Sequence, residues 1–364
     1  MLPCECIYQC SRKDAYQRKA GGEVNFCFNR NRFVLLMVLL PLGWIHTLLY
    51  AAEPSTAELY QRSAAMLAQD PAQVIRNFEQ SKSSLPQAPA WYQRDWYLLA
   101  ARAYTAQRMF LQARDSVSKA DTLVPTGIDA GEIALTAGYV AYYQQYRQVA
   151  RFWFNCADKF PNPPESRAKL LLNLGVVETF AGDYDNAMRH YQTGLALAEQ
   201  QKFTVLIPMY LNSIGNLYWR LGQYEPAIAA LRQATFHYAK LKNIVSQSRA
   251  GVNLLNVLVT MEDWERYLRL YPSIDQAVTA AEHAEFRLML NFFEVVRQRR
   301  TGQPVGLSDA ELKAQLAELK NINLQVMAQL LADKIQLGWQ APKAPDEPPE
   351  QQLRLPHTEA LCNG

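Results

Sequence analysis

The sequence predicts an all-α fold, a solenoid of stacked helix hairpins, and three observations predict it. First, a set of residues returns at a forty-residue step: Leu174, Gly175, Gly182, Tyr184, Ala187 and Tyr191 recur as Ile214, Gly215, Gly222, Tyr224, Ala227 and Leu231. Self-similarity at such a period marks units that cannot bury their own apolar faces and must stack to do so. Second, small residues come in pairs, Gly175 with Ala187 and Gly215 with Ala227, where the two helices of one hairpin would approach closely. Third, Gly182 and Gly222 stand between the two helical segments of each unit, where a tight turn favours glycine. Tyr184 and Tyr224 are then large enough to fill the space between neighbouring hairpins.

Before the array lie residues 1–52. Phe33 to Tyr50 is an apolar run broken only by His46 and Thr47, with Arg30 and Arg32 before it and Ala51, Ala52, Glu53 and Pro54 after. A basic flank, an apolar centre and small residues at the exit describe a secretory signal peptide. Eighteen residues also just suffice to cross a bilayer, so an uncleaved membrane tether through residues 33–50 is the alternative. Both readings export the body, expected in the periplasm, because the positive charge precedes the run. Residues 1–23 suit neither reading, and translation is expected to start at Val24. A peptide from residues 1–20 in the natural precursor would contradict that start. Cys4, Cys6, Cys10 and Cys27 crowd this segment without the second Cys/His pair that a zinc finger needs. Beyond it only Cys156 and Cys362 remain, so a disulfide-stapled body is not expected.

The chain has 37 Lys and Arg against 34 Asp and Glu, and residues 1–52 hold six and three of them, which leaves the body with 31 of each. A formally neutral body argues against nucleic-acid binding, which depends on neutralising phosphates.

The repeat pattern extends from residue 53 to about 300, as about six hairpins. Residues 55–84 suggest a first hairpin with Pro71 in the opening turn of its second helix. Ala101, Tyr104, Phe110, Ala113, Val117, Ala120 and Pro125 follow as the next, and Gly138, Ala150, Phe154 and Ala157 keep the same offsets. After the two clear repeats, Leu255, Leu258 and Trp264 continue the step, with Tyr267 in place of the usual alanine, and Pro272 is expected to interrupt the second helix. Residues 301–340 are expected to cap the stack. Ser308 to Glu311 is a capping box opening a helix to Lys320, and a second helix runs from Ile322 to Leu337. Residues 341–364 are Pro- and Glu-rich and are expected to be a disordered tail.

The Leu-Gly, Gly, Tyr and Ala positions over Lys169–Lys240 resemble those of the tetratricopeptide-repeat (TPR) family. The resemblance implies hairpins wound into a right-handed superhelix, with the first helix of each hairpin facing a concave groove. The two clear repeats are longer than the common thirty-four-residue form and are similar to exported bacterial signalling arrays, although no catalytic domain or second apolar span follows here. Beside the Leu-Gly position, where this family's groove residues lie, stand Asn173; Asn212, Ser213 and Asn216; and Asn253 and Asn256. Asparagine costs about half a kcal/mol relative to alanine inside a helix, so a row of them asks for a reason. A carboxamide offers a donor and an acceptor, and a row can hold an extended peptide backbone without reading its side chains. An ordinary solvated polar face is the plainer reading. Lys169, Arg220 and Arg249 on nearby turns could add charge for a carboxylate terminus. They do not reproduce the two-lysine, two-asparagine clamp of chaperone-binding repeats.

No phosphate-cradling glycine loop, nucleophile elbow or His-Glu metal motif occurs. The five histidines, His46, His190, His237, His283 and His357, are far apart. Trp91, Tyr92, Trp96 and Tyr97 form either a packing layer between hairpins or a ligand platform. The expectation is therefore a non-catalytic, exported scaffold without cofactors, binding a protein or extended peptide in its groove. The alternative is an exported sensory module relaying ligand binding to a membrane signalling partner.

Overall fold

A computed structural model describes residues 56–67, 69–123, 126–342 and 353–363. The leader or tether at 33–50, the expected start at Val24, the four N-terminal cysteines and Pro125 lie outside the described residues. Among those described there are sixteen α-helices and no strand. None of these helices is long and apolar enough to cross a membrane.

Twelve helices pair into six hairpins. These are α1 (Thr56–Met66) with α2 (Pro71–Ser81), α3 (Ala90–Ala106) with α4 (Phe110–Asp121), and α5 (Gly127–Tyr143) with α6 (Arg147–Asp158). Then come α7 (Pro164–Ala181) with α8 (Tyr184–Gln200), α9 (Leu206–Arg220) with α10 (Tyr224–Lys240), and α11 (Ile244–Met261) with α12 (Trp264–Ala281). Short polar caps start several of them: the Asp70 carboxylate accepts from the Gln73 amide at 2.9 Å, and Asp263 from the Arg266 amide at 2.9 Å.

Within a hairpin, the glycine of the first helix sits under a large side chain of the second. A Cβ on Gly175 would fall 2.6 Å from Cδ1 of Tyr191, and one on Gly215 would fall 2.6 Å from Cγ of Leu231. The turns behave as glycine predicts at Gly182 (φ +81°) and Gly222 (φ +71°). Arg108, Gln145 and Glu262 take the same left-handed conformation in their own hairpins, at φ of 57°, 70° and 60°. There, closure of the hairpin outweighs the strain of a Cβ in that region.

The first helices of successive hairpins pack on one another, whereas the second helices keep further apart. The stack therefore curves with its first helices inside. Beyond the sixth hairpin, α13 (Ala284–Arg300) lies against α11. It is covered in turn by α14 (Asp309–Leu316) and α15 (Ile322–Lys334). Leu312, Leu316, Leu324, Met327 and Leu331 close this end in one apolar cluster with Phe286, Leu290 and Phe293. The capping box is formed: the Ser308 amide donates to Glu311 Oε2 at 2.8 Å, and the Glu311 amide donates to Ser308 Oγ at 3.3 Å.

Three expectations need correction. Pro272 does not interrupt its helix; α12 runs through it, because Tyr267 before it and Ile274, Ala277 and Val278 after it are buried on the same side. The tail is not wholly disordered: Pro356–Asn363 is a helix, α16, on hairpins two and three. The buried Asp121 carboxylate caps it, accepting from the His357 amide at 3.1 Å, the Thr358 amide at 2.8 Å and the Thr358 hydroxyl at 2.6 Å. The body is also stapled after all, since its two cysteines, Cys156 and Cys362, form a disulfide with 5.4 Å between their Cα atoms. An eight-residue helix cannot hold itself, and these two anchors supply what the composition does not.

Candidate functional site

The inner helices present their side chains in columns, one per turn. In the first half of the array the column is closed by charge. Arg102 of α3 reaches Glu132 Oε2 at 2.8 Å and Thr136 Oγ1 at 3.0 Å on α5, and Ser166 of α7 donates to the other Glu132 oxygen. Arg94, buried on α3, pairs with Asp129 at 2.6 Å. These contacts join successive inner helices and leave no free charge among the groups they link.

In the second half the column becomes carboxamide. Asn173 on α7 and Asn216 on α9 are half-buried, and neither meets a hydrogen-bond partner among the described residues. Asn212, also half-buried, accepts through Oδ1 from Asn253 Nδ2 at 2.8 Å, which leaves its own NH2 group to donate. Further on the row does not stay open. Asn253 is 4% exposed and Asn256 is fully buried, with both amide atoms unpartnered. The reason is local: from Ala250 to Val259 α11 is buried on every side, between α9, α12 and α13. A ligand can therefore reach Asn173, Asn212 and Asn216 in this structure but not Asn256.

The three basic candidates separate as well. Lys169 is exposed and pairs with Glu165 at 2.6 Å. Arg249 is exposed, within electrostatic reach of Tyr139 and Tyr142 three hairpins earlier. Arg220 is half-buried, with its guanidinium 5.2 Å from the centre of the Phe180 ring and 5.8 Å from that of Trp219.

Two groups in this region escape the sequence argument. Arg147 opens α6 where α8, α10 and α12 open with Tyr184, Tyr224 and Trp264, and its guanidinium lies 4.5 Å from the centre of the Phe180 ring. A cation at an otherwise aromatic repeat position is the signal that could have found it. Tyr139, Tyr142 and Tyr143 form an aromatic wall beside it, with the Tyr139 and Tyr143 rings 4.6 Å apart and Tyr142 6.4 Å from Phe180. Burial pushes the Tyr142 hydroxyl up to about 12, opposed by a hydrogen bond with Asn323 at the start of α15. Hairpin three thus meets a capping helix from beyond the sixth hairpin. Burial holds Arg147 and Arg220 below the usual guanidinium range.

The aromatic cluster of α3 packs instead. Trp96 is fully buried and Tyr92 nearly so, with Tyr60 5.2 Å from Trp96 and Phe78 5.8 Å from Tyr97. Among the described residues no group of three His, Cys, Asp or Glu side chains is placed to hold a metal ion.

Residues 166–235, within hairpins four and five, match the tetratricopeptide repeat family. Two solved structures share the fold. One is a Rap protein complexed with competence and sporulation factor, at 14% identity, covering 81% of each chain, with a TM-score of 0.60. The other is the Rap conjugation gene regulator of the plasmid pLS20 in complex with the Phr* peptide, at 16% identity, covering 85% of this chain and 93% of that one, with a TM-score of 0.53. At these identities the likeness is one of fold. Among curated proteins no sequence match is found.

Proposed function

We propose that this chain, a tetratricopeptide-repeat protein, is a non-catalytic scaffold whose concave face holds an extended peptide segment of a partner. The observation that carries this is the run of half-buried carboxamides at Asn173, Asn212 and Asn216 on two successive inner helices. Their amide groups offer donors and acceptors to the backbone of an extended chain and make no demand on its side chains. Two structures of this fold are complexes with competence and sporulation factor and with the Phr* peptide, which supports a peptide partner here.

Export of the body belongs to the same proposal. The apolar run at 33–50 and the Cys156–Cys362 disulfide both support it, since a structural disulfide persists where the surroundings are oxidising. The test places a photo-reactive amino acid at Ser213, in the groove, or at exposed Gln233 on α10, and follows crosslinking in the native exported fraction. Crosslinks to one partner from Ser213 and none from Gln233 are expected. Equal yields from both positions would overturn the groove.

A further inference from the structure

Arg147 and Arg220 come from different hairpins, and they converge on one ring. Arg147 stands 4.5 Å and Arg220 5.2 Å from the centre of Phe180, and Tyr142 lies 6.4 Å from the same ring. Nearly every other half-buried arginine of the array has its counter-ion: Arg102 has Glu132, Arg266 has Asp263 and Glu225, and Arg297 has Glu294. Neither Arg147 nor Arg220 forms an ion pair with a described residue; burial is the largest influence on the charge of each, and Arg147 further disfavours the charge on Arg220. Arg220 sits one turn beyond Asn216 on α9, so the pair lies at the end of the carboxamide run. Two partly desolvated guanidiniums without an anion are unfavourable alone, and their planar donor forks suit a carboxylate better than any neutral group. The aromatic face holds both in place by cation–π contact while their N–H edges stay free.

We propose that Arg147 and Arg220, braced on Phe180, form a carboxylate site that receives an acidic group of the bound peptide, either its C-terminus or an Asp or Glu side chain. The site rests on the groove reading above and gives it polarity: the carboxamides hold the backbone, and the arginines fix which end or residue of the peptide lies beside hairpins three to five.

The full chain, labelled with 15N-arginine, is titrated with three probes: acetyl-trialanine with a free C-terminus, its C-terminal amide, and acetyl-Ala-Asp-Ala amide. At least one acid should shift the Arg147 and Arg220 Nε–H signals at concentrations about tenfold or more below those needed for the neutral amide. Which acid does so identifies the source of the carboxylate. Calorimetry of each acid against the neutral amide should show the preference lost in the double variant Arg147→Gln and Arg220→Gln and kept in Arg232→Gln, on the exposed face of α10. Should the double variant fail to fold, the double lysine variant, which keeps the charge but not the fork, should bind the acid more weakly than wild type. The proposal is overturned if the neutral amide is as effective as both acids, if neither acid shifts the two signals, or if the variants keep the wild-type preference. Crosslinking from Ser213 together with silent arginines would remove this site and leave the groove standing; loss of both would remove both.

Discussion

Replacing Gly175 with alanine adds one methyl group where Tyr191 already stands. The new Cβ would lie 2.6 Å from Cδ1 of that ring, against the 3.5–4.0 Å of an ordinary carbon contact, so something must move by about 1 Å. Tyr191 is 2% exposed, and its hydroxyl lies 3.2 Å from Thr179 Oγ1, so the ring cannot retreat without parting that contact. Overpacking of this kind costs about 1–3 kcal/mol, and a lost buried hydrogen bond about 1 kcal/mol more. Alanine recovers about 1 kcal/mol of helix propensity over glycine. The net expectation is destabilisation of about 1–3 kcal/mol, and more for Gly175→Leu. Gly127→Ala is the matched control, because nothing lies within 4 Å of its Cβ position at the start of α5. It should be neutral or slightly stabilising. Because a solenoid need not unfold in one step, urea denaturation followed by circular dichroism should be paired with hydrogen exchange over α7 and α8. If Gly175→Ala and Gly127→Ala changed stability in the same direction and by the same amount, the packing at Gly175 would be misassigned.

Other perturbations probe separate parts of the fold. Cys362→Ser should free α16 from hairpins two and three, raising hydrogen exchange in residues 356–363 while α7 to α12 keep their protection; unchanged exchange would show that the Asp121 cap suffices alone. Arg108→Gly should stabilise by a few tenths to about 1 kcal/mol, measured by denaturation, since Arg108 is exposed at φ +57° and makes a left-handed turn without glycine. Burial beside the Phe286 ring holds His283 below the ordinary imidazole value of 6.5. The unfolded chain then takes up the proton first, so stability present above that value should fall as pH drops below it. His283→Phe should flatten this acid slope of the melting temperature, and an unaltered slope would assign it to other groups.

The fold was legible in the sequence because the two clear hairpins use glycine where the geometry most needs it. Gly175 and Gly215 meet large side chains, and Gly182 and Gly222 carry the positive φ. The fainter hairpins hide the same turn behind Arg108, Gln145 and Glu262, residues that seldom signal one. Tyr267 in the alanine position is tolerated with Leu255 in place of glycine, and both are fully buried. The tail was illegible for another reason: what orders Pro356–Asn363 is Asp121 and Cys156, more than two hundred residues away, and no local pattern reports such partners. At the site, the carboxamide row could be placed on the inner helices but its accessibility could not. Whether α13 covers α11 decides that Asn256 is sealed while Asn216 is open. The apolar run around Asn253 and Asn256, with no polar face to spare, was the available hint.

Calorimetry on a groove-binding peptide shows whether the open carboxamides hold a peptide backbone. The peptide is selected by display against the full chain, and its affinity is compared between wild type, Asn216→Ala and Gln233→Ala. Asn216→Ala should weaken binding by about 1 kcal/mol, roughly fivefold, the range for a hydrogen bond lost from a partly desolvated site. It should leave the melting temperature unchanged or slightly higher, because alanine is the better helix former and the Asn216 amide has no partner to lose. Gln233→Ala should change neither property. Wild-type affinity in the Asn216→Ala protein would contradict the claim and place recognition away from this face.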